Sequence, residues 1–135
     1  MRATSILNQR GISIQHMHIS TLKPFSDPLV LEACSASKLG VITMENHTII
    51  GGLGSATAEL MAENGIGKKL IRIGLQDTFA HGASRPYLMR EYGLDALALV
   101  HKVENMIGQD LDITEVDLDA VRLEAVHSAA KAEAL

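Results

Sequence analysis

Glu45 and His47 stand two residues apart at the end of a short apolar run, and Gly51, Gly52, Gly54 and Ser55 follow directly. A carboxylate beside an imidazole is the arrangement that tunes a proton-transfer group near neutral pH, and side chains two apart in a loop can reach one common ligand. The glycines let the backbone pass close to a neighbour, and Ser55 can satisfy free amides where a helix begins. That helix N-terminus favours an anion or a carboxylate, so the stretch reads as a candidate small-anion site or loop interface. The plainer alternative is a hydrogen-bonded loop that shapes a sharp turn, with the glycines serving tight helix–sheet packing. G-G-L-G matches neither G-x-G-x-x-G nor the phosphate loop, because no lysine follows Gly54 before Lys68, and nucleotide binding is disfavoured.

The remaining polar residues are weaker candidates. Asp77, Phe79, His81 and Gly82 lie in a long polar stretch of the kind that carries function or an interface. His81 could meet a substrate phosphate at a domain boundary, or simply sit at the surface. His16 and His18 alternate on one strand face, a spacing two metal ligands can use, but no third ligand stands nearby and no metal site is assigned. Cys34 is the only cysteine, which excludes an intrachain disulfide and a thiolate cluster, and its small neighbours suit a packing residue. His101 and His127 fall on helical stretches, on polar or intermediate faces. No residue is assigned a catalytic role.

The elements that must position these residues can be read from the pattern. Thr4 to Arg10 suits a short helix ended by Gly11, and Ile12 to Ile19 alternates apolar with polar as a first strand does. Asp27-Pro28 starts a helix that runs to about Lys38. Gly40 opens Val41-Ile42-Thr43-Met44, a buried parallel strand whose end delivers Glu45 to Ile50 as a loop. The next helix, from about Gly52 to Asn64, places Leu53, Ala56, Leu60 and Met61 near one face. Leu70 to Leu75 reads as a further strand. A short helix near Pro86 to Tyr92 follows, then one capped by Asp95 that runs through Val103 and Ile107. Strands alternating with helices predict an α/β fold, three-layer α/β/α with a mainly parallel sheet. Residues 1–108 form this domain; 109–135 form a linker and a C-terminal helix from Asp117, with Val116, Ala120, Leu123 and His127 as a narrow stripe.

Composition sets the outer limits. The chain has 135 residues, enough for one core but too few for a cofactor domain plus a substrate domain. Its net charge of -4 gives no basic field for phosphate backbones, and the absence of Trp with only two Tyr and two Phe leaves no stacking platform, so nucleic acid is excluded as a partner. No apolar run approaches the length of a membrane span or a signal peptide, so the expectation is no membrane and a cytoplasmic location.

Four segments in order carry a resemblance. G-I-S-I-Q-H-M-H-I-S-T-L-K-P-F-S-D, then V-I-T-M-E-N-H-T-I-I-G-G-L-G-S-A, then R-I-G-L-Q-D-T-F-A-H-G and Y-G-L-D-A resemble the C-terminal domain of the transketolase family, over about Ala3 to Ile107. That family includes transketolase, deoxyxylulose phosphate synthase and the beta subunits of 2-oxo acid dehydrogenases. The resemblance implies a three-layer domain that helps to assemble a dimer, with Glu45, Asn46, His47, Gly51, Gly52, Gly54, Ser55, Asp77, Phe79, His81 and Gly82 in domain packing or subunit contact. It also implies thiamine diphosphate and Mg in the complete enzyme, held by two other domains. The family's Gly-Asp-Gly and distant Asn-Asn motif has no match here, so the chain is expected to bind no cofactor alone and to work with a thiamine-diphosphate-binding N-terminal section or subunit, as a homodimer. Family members also place a strand before the first helix, whereas this chain begins inside that helix, so the resemblance implies an uncovered sheet edge, either paired to another chain or left as a liability.

Overall fold

A computed structural model describes residues 1–121. Its elements are α1 (Arg2–Gln9), α2 (Pro28–Ala36), β1 (Val41–Thr48), α3 (Leu53–Glu63), β2 (Leu70–Leu75), α4 (Arg85–Glu91), α5 (Ala96–Ile107) and α6 (Glu115–Ala120). Local chemistry starts and stops most of them. Asp27 accepts from the Leu29 amide at 2.9 Å with Pro28 at the first helical position, so one side chain and one fixed φ set the start of α2. Asp95 accepts from the Ala98 amide at 2.8 Å at the start of α5, and Gly108, at φ 69°, ends it in the left-handed region. Thr114 and Asp117 form a reciprocal capping box on α6.

β1 and β2 are parallel, in register from Val41 opposite Leu70 to Met44 opposite Ile73, then irregular until Thr48 meets Leu75. Successive strand residues point to opposite faces. Ile42 packs against a cluster built from Ala3, Ile6 and Leu7 of α1, Val100 and Val103 of α5, Leu111, Ile113 and Leu118. Val41 packs against the other cluster, Val30 and Cys34 of α2 with Met61 of α3. Helices therefore lie on both faces of a parallel sheet, the α/β arrangement predicted from the alternation of elements.

Four expectations need correction. Ile12 to Ile19 is not a strand, although its alternation is real. Ile12 and Ile14 pack on the first cluster and Met17 and Ile19 on the second, but among the described residues no backbone hydrogen bonds pair the segment with another strand. Alternation reports which way side chains face; a strand also needs a ladder partner. Second, Glu45 to Thr48 is strand rather than loop, because pairing resumes at Thr48. Third, of the expected stripe Leu53, Ala56, Leu60 and Met61, Met61 is buried and Leu60 packs half-buried on the second cluster, but the buried face of α3 is Gly54, Thr57 and Met61, because small residues let the helix sit close on the sheet. Fourth, α6 buries Leu118 while Val116 is 77% exposed, so Val116 heads no buried stripe. Leu123 and His127 lie outside the described residues, as does the remainder of the C-terminal helix.

Candidate functional site

Glu45 is half-buried on β1, with its side chain turned across the start of α3. Its Oε2 accepts from the Leu53 amide at 2.7 Å and its Oε1 from the Gly54 amide at 3.0 Å. Those are two of the amides that a helix start leaves without an intrahelical acceptor, and a carboxylate there also meets the positive end of the helix dipole. No side chain of the N-cap residue could do this, because that residue is Gly52. The anion that the helix start favours is thus supplied from within the chain.

The glycines are the space this carboxylate occupies. A Cβ on Gly52 would lie 2.0 Å from Glu45 Oε2, and one on Gly74 of β2 would lie 3.1 Å from Glu45 Cγ and 2.9 Å from the His47 carbonyl oxygen. A Cβ on Gly54 would meet Arg72 Cδ at 2.6 Å and Thr43 Oγ1 at 3.0 Å, which is why α3 can lie against β1 and β2 at this point. Gly51 serves differently: at φ 72° it makes the turn, with no atom within 4 Å of its would-be Cβ. Its amide donates to Ser55 Oγ at 3.0 Å, and Ser55 Oγ donates to the Ile49 carbonyl, also at 3.0 Å. Arg72 Nη1 donates to the same carbonyl at 3.2 Å, so strand, turn and helix are tied at one oxygen.

His47 does not join Glu45. Its Nδ1 lies 3.0 Å from the Thr48 carbonyl oxygen, to which it donates, and its ring is exposed. The acid–base pair considered from the sequence is therefore not assembled in this structure. Thr43, buried at 6% exposure beneath α3, has an Oγ1 without a hydrogen-bond partner among the described residues.

The second loop leaves the same end of the sheet, because β1 and β2 run parallel. Asp77 and Phe79 are exposed, Phe79 completely. His81 Nε2 lies 3.5 Å from Glu91 Oε2, and its ring sits edge-on to Tyr87 with centroids 6.0 Å apart and tilted to Tyr92 at 6.5 Å. Among the described residues no hydrogen bond or ion pair links Asp77 or His81 to Glu45 or His47. The structure brings together Glu45, Gly51, Gly52, Gly54 and Ser55, and leaves His47, Asp77 and His81 facing outward. Two participants carried no strong sequence signal: Gly74, a lone glycine inside a strand pattern, whose signal is that a backbone passes close by, and Arg72.

Elsewhere, burial is the largest cause holding His16 below its ordinary pKa, followed by the Met1 ammonium and His18. Cys34 is buried in the second cluster, and burial pushes its thiol up against the opposing effect of Lys68.

The sequence profile for "Transketolase, C-terminal domain" matches residues 1–99. A protein of Methanocaldococcus jannaschii, provisionally named a transketolase C-terminal section, is 40% identical over 103 residues, covering 76% of this chain and 31% of that protein. A 1-deoxy-D-xylulose-5-phosphate synthase of Chlorobium phaeovibrioides is 39% identical over 103 residues, 76% of this chain and 16% of that enzyme. A 6-deoxy-6-sulfo-D-fructose transketolase subunit of a Clostridium species is 40% identical over 99 residues, 73% of this chain and 30% of that subunit. The chain spans no more than about a third of the length of these curated relatives.

Proposed function

Because the chain belongs to the transketolase C-terminal domain family, we propose that it is the C-terminal section of a thiamine-diphosphate-dependent, transketolase-like enzyme of cytoplasmic carbohydrate metabolism. In this reading the section builds and holds the assembly, and a partner polypeptide brings the cofactor and the chemistry of two-carbon ketol transfer between sugar phosphates. The observation that carries the non-catalytic role is the fate of Glu45. The one half-buried carboxylate at the candidate loop is bound to the Leu53 and Gly54 amides, so it shapes the loop rather than faces a substrate.

The residues described here do not fit thiamine diphosphate. A diphosphate–Mg unit needs several oxygen ligands converging on one point. Among the described residues no three His, Cys, Asp or Glu side chains come together to hold an ion, and the helix N-terminus that could take a phosphate already holds Glu45. No reaction step is therefore assigned to this chain.

The outward-facing loop supports subunit contact, with a second copy or with the partner, because Phe79 is fully exposed two residues before His81, whose ring stands near Tyr87 and Tyr92. The test is reconstitution. Added to a polypeptide that carries the thiamine-diphosphate-binding part, the chain should raise two-carbon transfer from a ketose phosphate to an aldose phosphate. A complex proven by co-elution with an unchanged rate would refute the reading.

A further inference from the structure

The sequence has four asparagines, and only Asn64 is followed by a glycine; Asn8, Asn46 and Asn105 precede Gln9, His47 and Met106. The side-chain amide of an asparagine can be attacked by the backbone nitrogen of the next residue, and a glycine there has no Cβ to obstruct the approach. Asn64 and Gly65 end α3, and every residue from Ala62 to Gly65 is exposed. Gly65 lies at φ 65°, its amide donates to the Ala62 carbonyl at 3.1 Å, and the Ile66 amide donates to the Met61 carbonyl at 2.8 Å. Those two bonds close a Schellman turn, which Ile66 and Met61 complete by packing in the second cluster. The Asn64 side chain joins the same turn, because its Nδ2 donates to the Leu60 carbonyl at 2.8 Å. Both nitrogens of the reaction, the attacking one and the leaving one, are thus held by α3. A Cβ on Gly65 would meet nothing within 4 Å, so the turn has open space to move into.

We propose that Asn64 is a site of spontaneous deamidation gated by opening of the last turn of α3, and that the isoaspartate formed there unlatches the helix from the second cluster. In the first step the Gly65 nitrogen forms a bond to Asn64 Cγ and gives up its proton, the Cγ–Nδ2 bond breaks, and ammonia leaves with that proton. Water, the only co-reactant, then adds to the cyclic imide. Opening at Cγ gives aspartate, whereas opening at the main-chain carbonyl carries the backbone through Cγ as isoaspartate. Ring closure needs the Gly65 amide free of the Ala62 carbonyl and the Asn64 side chain free of the Leu60 carbonyl, so the folded chain reacts only while this turn is open. The opening is local, because Met61 stays buried and only the exposed residues 62–65 and the half-buried Ile66 leave their places. Either product lacks the donor to the Leu60 carbonyl and puts a negative charge next to Glu63 at the negative end of the helix. Isoaspartate also adds a methylene to the main chain between Met61 and Ile66. The Ile66 amide then loses its register with the Met61 carbonyl, and Ile66 withdraws from the cluster.

Ageing the full chain in mildly alkaline buffer tests this, with peptide mapping by mass spectrometry and enzymatic methylation of isoaspartate as readouts. Isoaspartate should accumulate at Asn64 ahead of Asn8, Asn46 and Asn105, and at least about tenfold more slowly than in the same chain unfolded in urea. Below the unfolding transition the rate should hardly depend on urea, because a local opening exposes little surface. Ile66→Ala removes the contact that closes the turn, so it should speed conversion in the folded chain and leave the rate in concentrated urea unchanged. The converted chain, separated from the parent, should exchange its Ile66 amide at least about tenfold faster, while exchange at Val100 in the first cluster stays the same. Earlier conversion at another asparagine would overturn the site. Equal rates in the folded and unfolded chain, a rate that climbs below the transition with the full unfolding slope, or an unaltered rate in folded Ile66→Ala would each overturn the gate. Unchanged exchange at Ile66 in the converted chain would overturn the unlatching.

Discussion

Replacing Glu45 by Gln isolates the charge of the internal cap with little change of shape. The carboxylate accepts at 2.7 and 3.0 Å from two amides at the start of an eleven-residue helix. A carboxamide keeps one acceptor oxygen and turns an NH2 group towards the other amide, so one bond is lost and the second is no longer charge-assisted. A charge-assisted hydrogen bond is worth about 1.5–3 kcal/mol net, and the dipole contribution at a helix start about 0.5 kcal/mol. Glu45 is half-buried, so water reaches part of the site and the lower end applies: Glu45→Gln should cost about 2 kcal/mol, within the span measured for cap removal. With a urea slope of about 2 kcal/mol/M, the midpoint falls by about 1 M. Because the chain has no Trp, far-UV circular dichroism is the suitable readout, paired with amide exchange at Leu53 and Gly54. A loss below about 0.5 kcal/mol, or unchanged exchange at those two amides, would show that the carboxylate does not hold the helix start.

Gly52→Ala puts a methyl 2.0 Å from Glu45 Oε2 and should cost about as much as losing the cap, roughly 2 kcal/mol, whereas Gly51→Ala meets no atom and should cost only the left-handed backbone penalty of about 1 kcal/mol; an equal loss at both positions in urea titrations would contradict the packing argument. Thr43→Val removes a buried hydroxyl without a partner and keeps the shape, so it should stabilise by about 1 kcal/mol, and a comparable destabilisation would mean that the hydroxyl is hydrogen-bonded in solution. His16 is held below 6.5, first by burial and then by the Met1 ammonium and His18, so the fold favours its neutral form. That contribution is complete above pH 6.5 and is lost as pH falls through the folded value, so between about pH 7 and 5 the stability of His16→Gln should decline less steeply than that of the parent, and parallel curves would refute it.

Features written in neighbouring residues were legible in the sequence. Asp27-Pro28 and Asp95 act on amides within a few positions of themselves, and the structure has them capping α2 and α5. The apolar runs of β1 and β2 were legible because both faces of a parallel strand are buried. What failed depended on partners distant in sequence. Ile12–Ile19 carries strand alternation without a ladder, because pairing is decided by what lies alongside. Glu45 to Thr48 looked like loop because it is polar, yet after a register shift the strand pairs with β2 again where Thr48 meets Leu75. The buried face of α3 was misread because Gly54 and Thr57 are not counted as apolar, although their small size is what places the helix against the sheet. The partners of Glu45 are backbone amides eight and nine positions ahead; residue types pointed to an anion or a carboxylate at that helix start without choosing between them.

The sequence left one choice open at this loop, a bound anion or a carboxylate at the helix start, and the structure turns it into an experiment. Both occupants would use the same amides, so they compete. In the parent chain Glu45 fills the position, and added phosphate should leave the unfolding midpoint where nonspecific salt effects put it. In Glu45→Ala the Leu53 and Gly54 amides are vacated, while Gly52 and Gly54 still leave the approach clear of a Cβ. Phosphate can then take the carboxylate's place. With a dissociation constant of about 10 mM, 100 mM phosphate would restore about 1.4 kcal/mol relative to chloride at equal ionic strength. Gly52→Ala in the Glu45→Ala background should abolish that rescue, because its methyl occupies the position of the missing carboxylate oxygen. Rescue of the variant but not of the parent identifies Glu45 as an internal substitute for an anion. Equal stabilisation of both would mean that phosphate binds elsewhere, and the loop's polar groups would then be doing something other than closing their own helix.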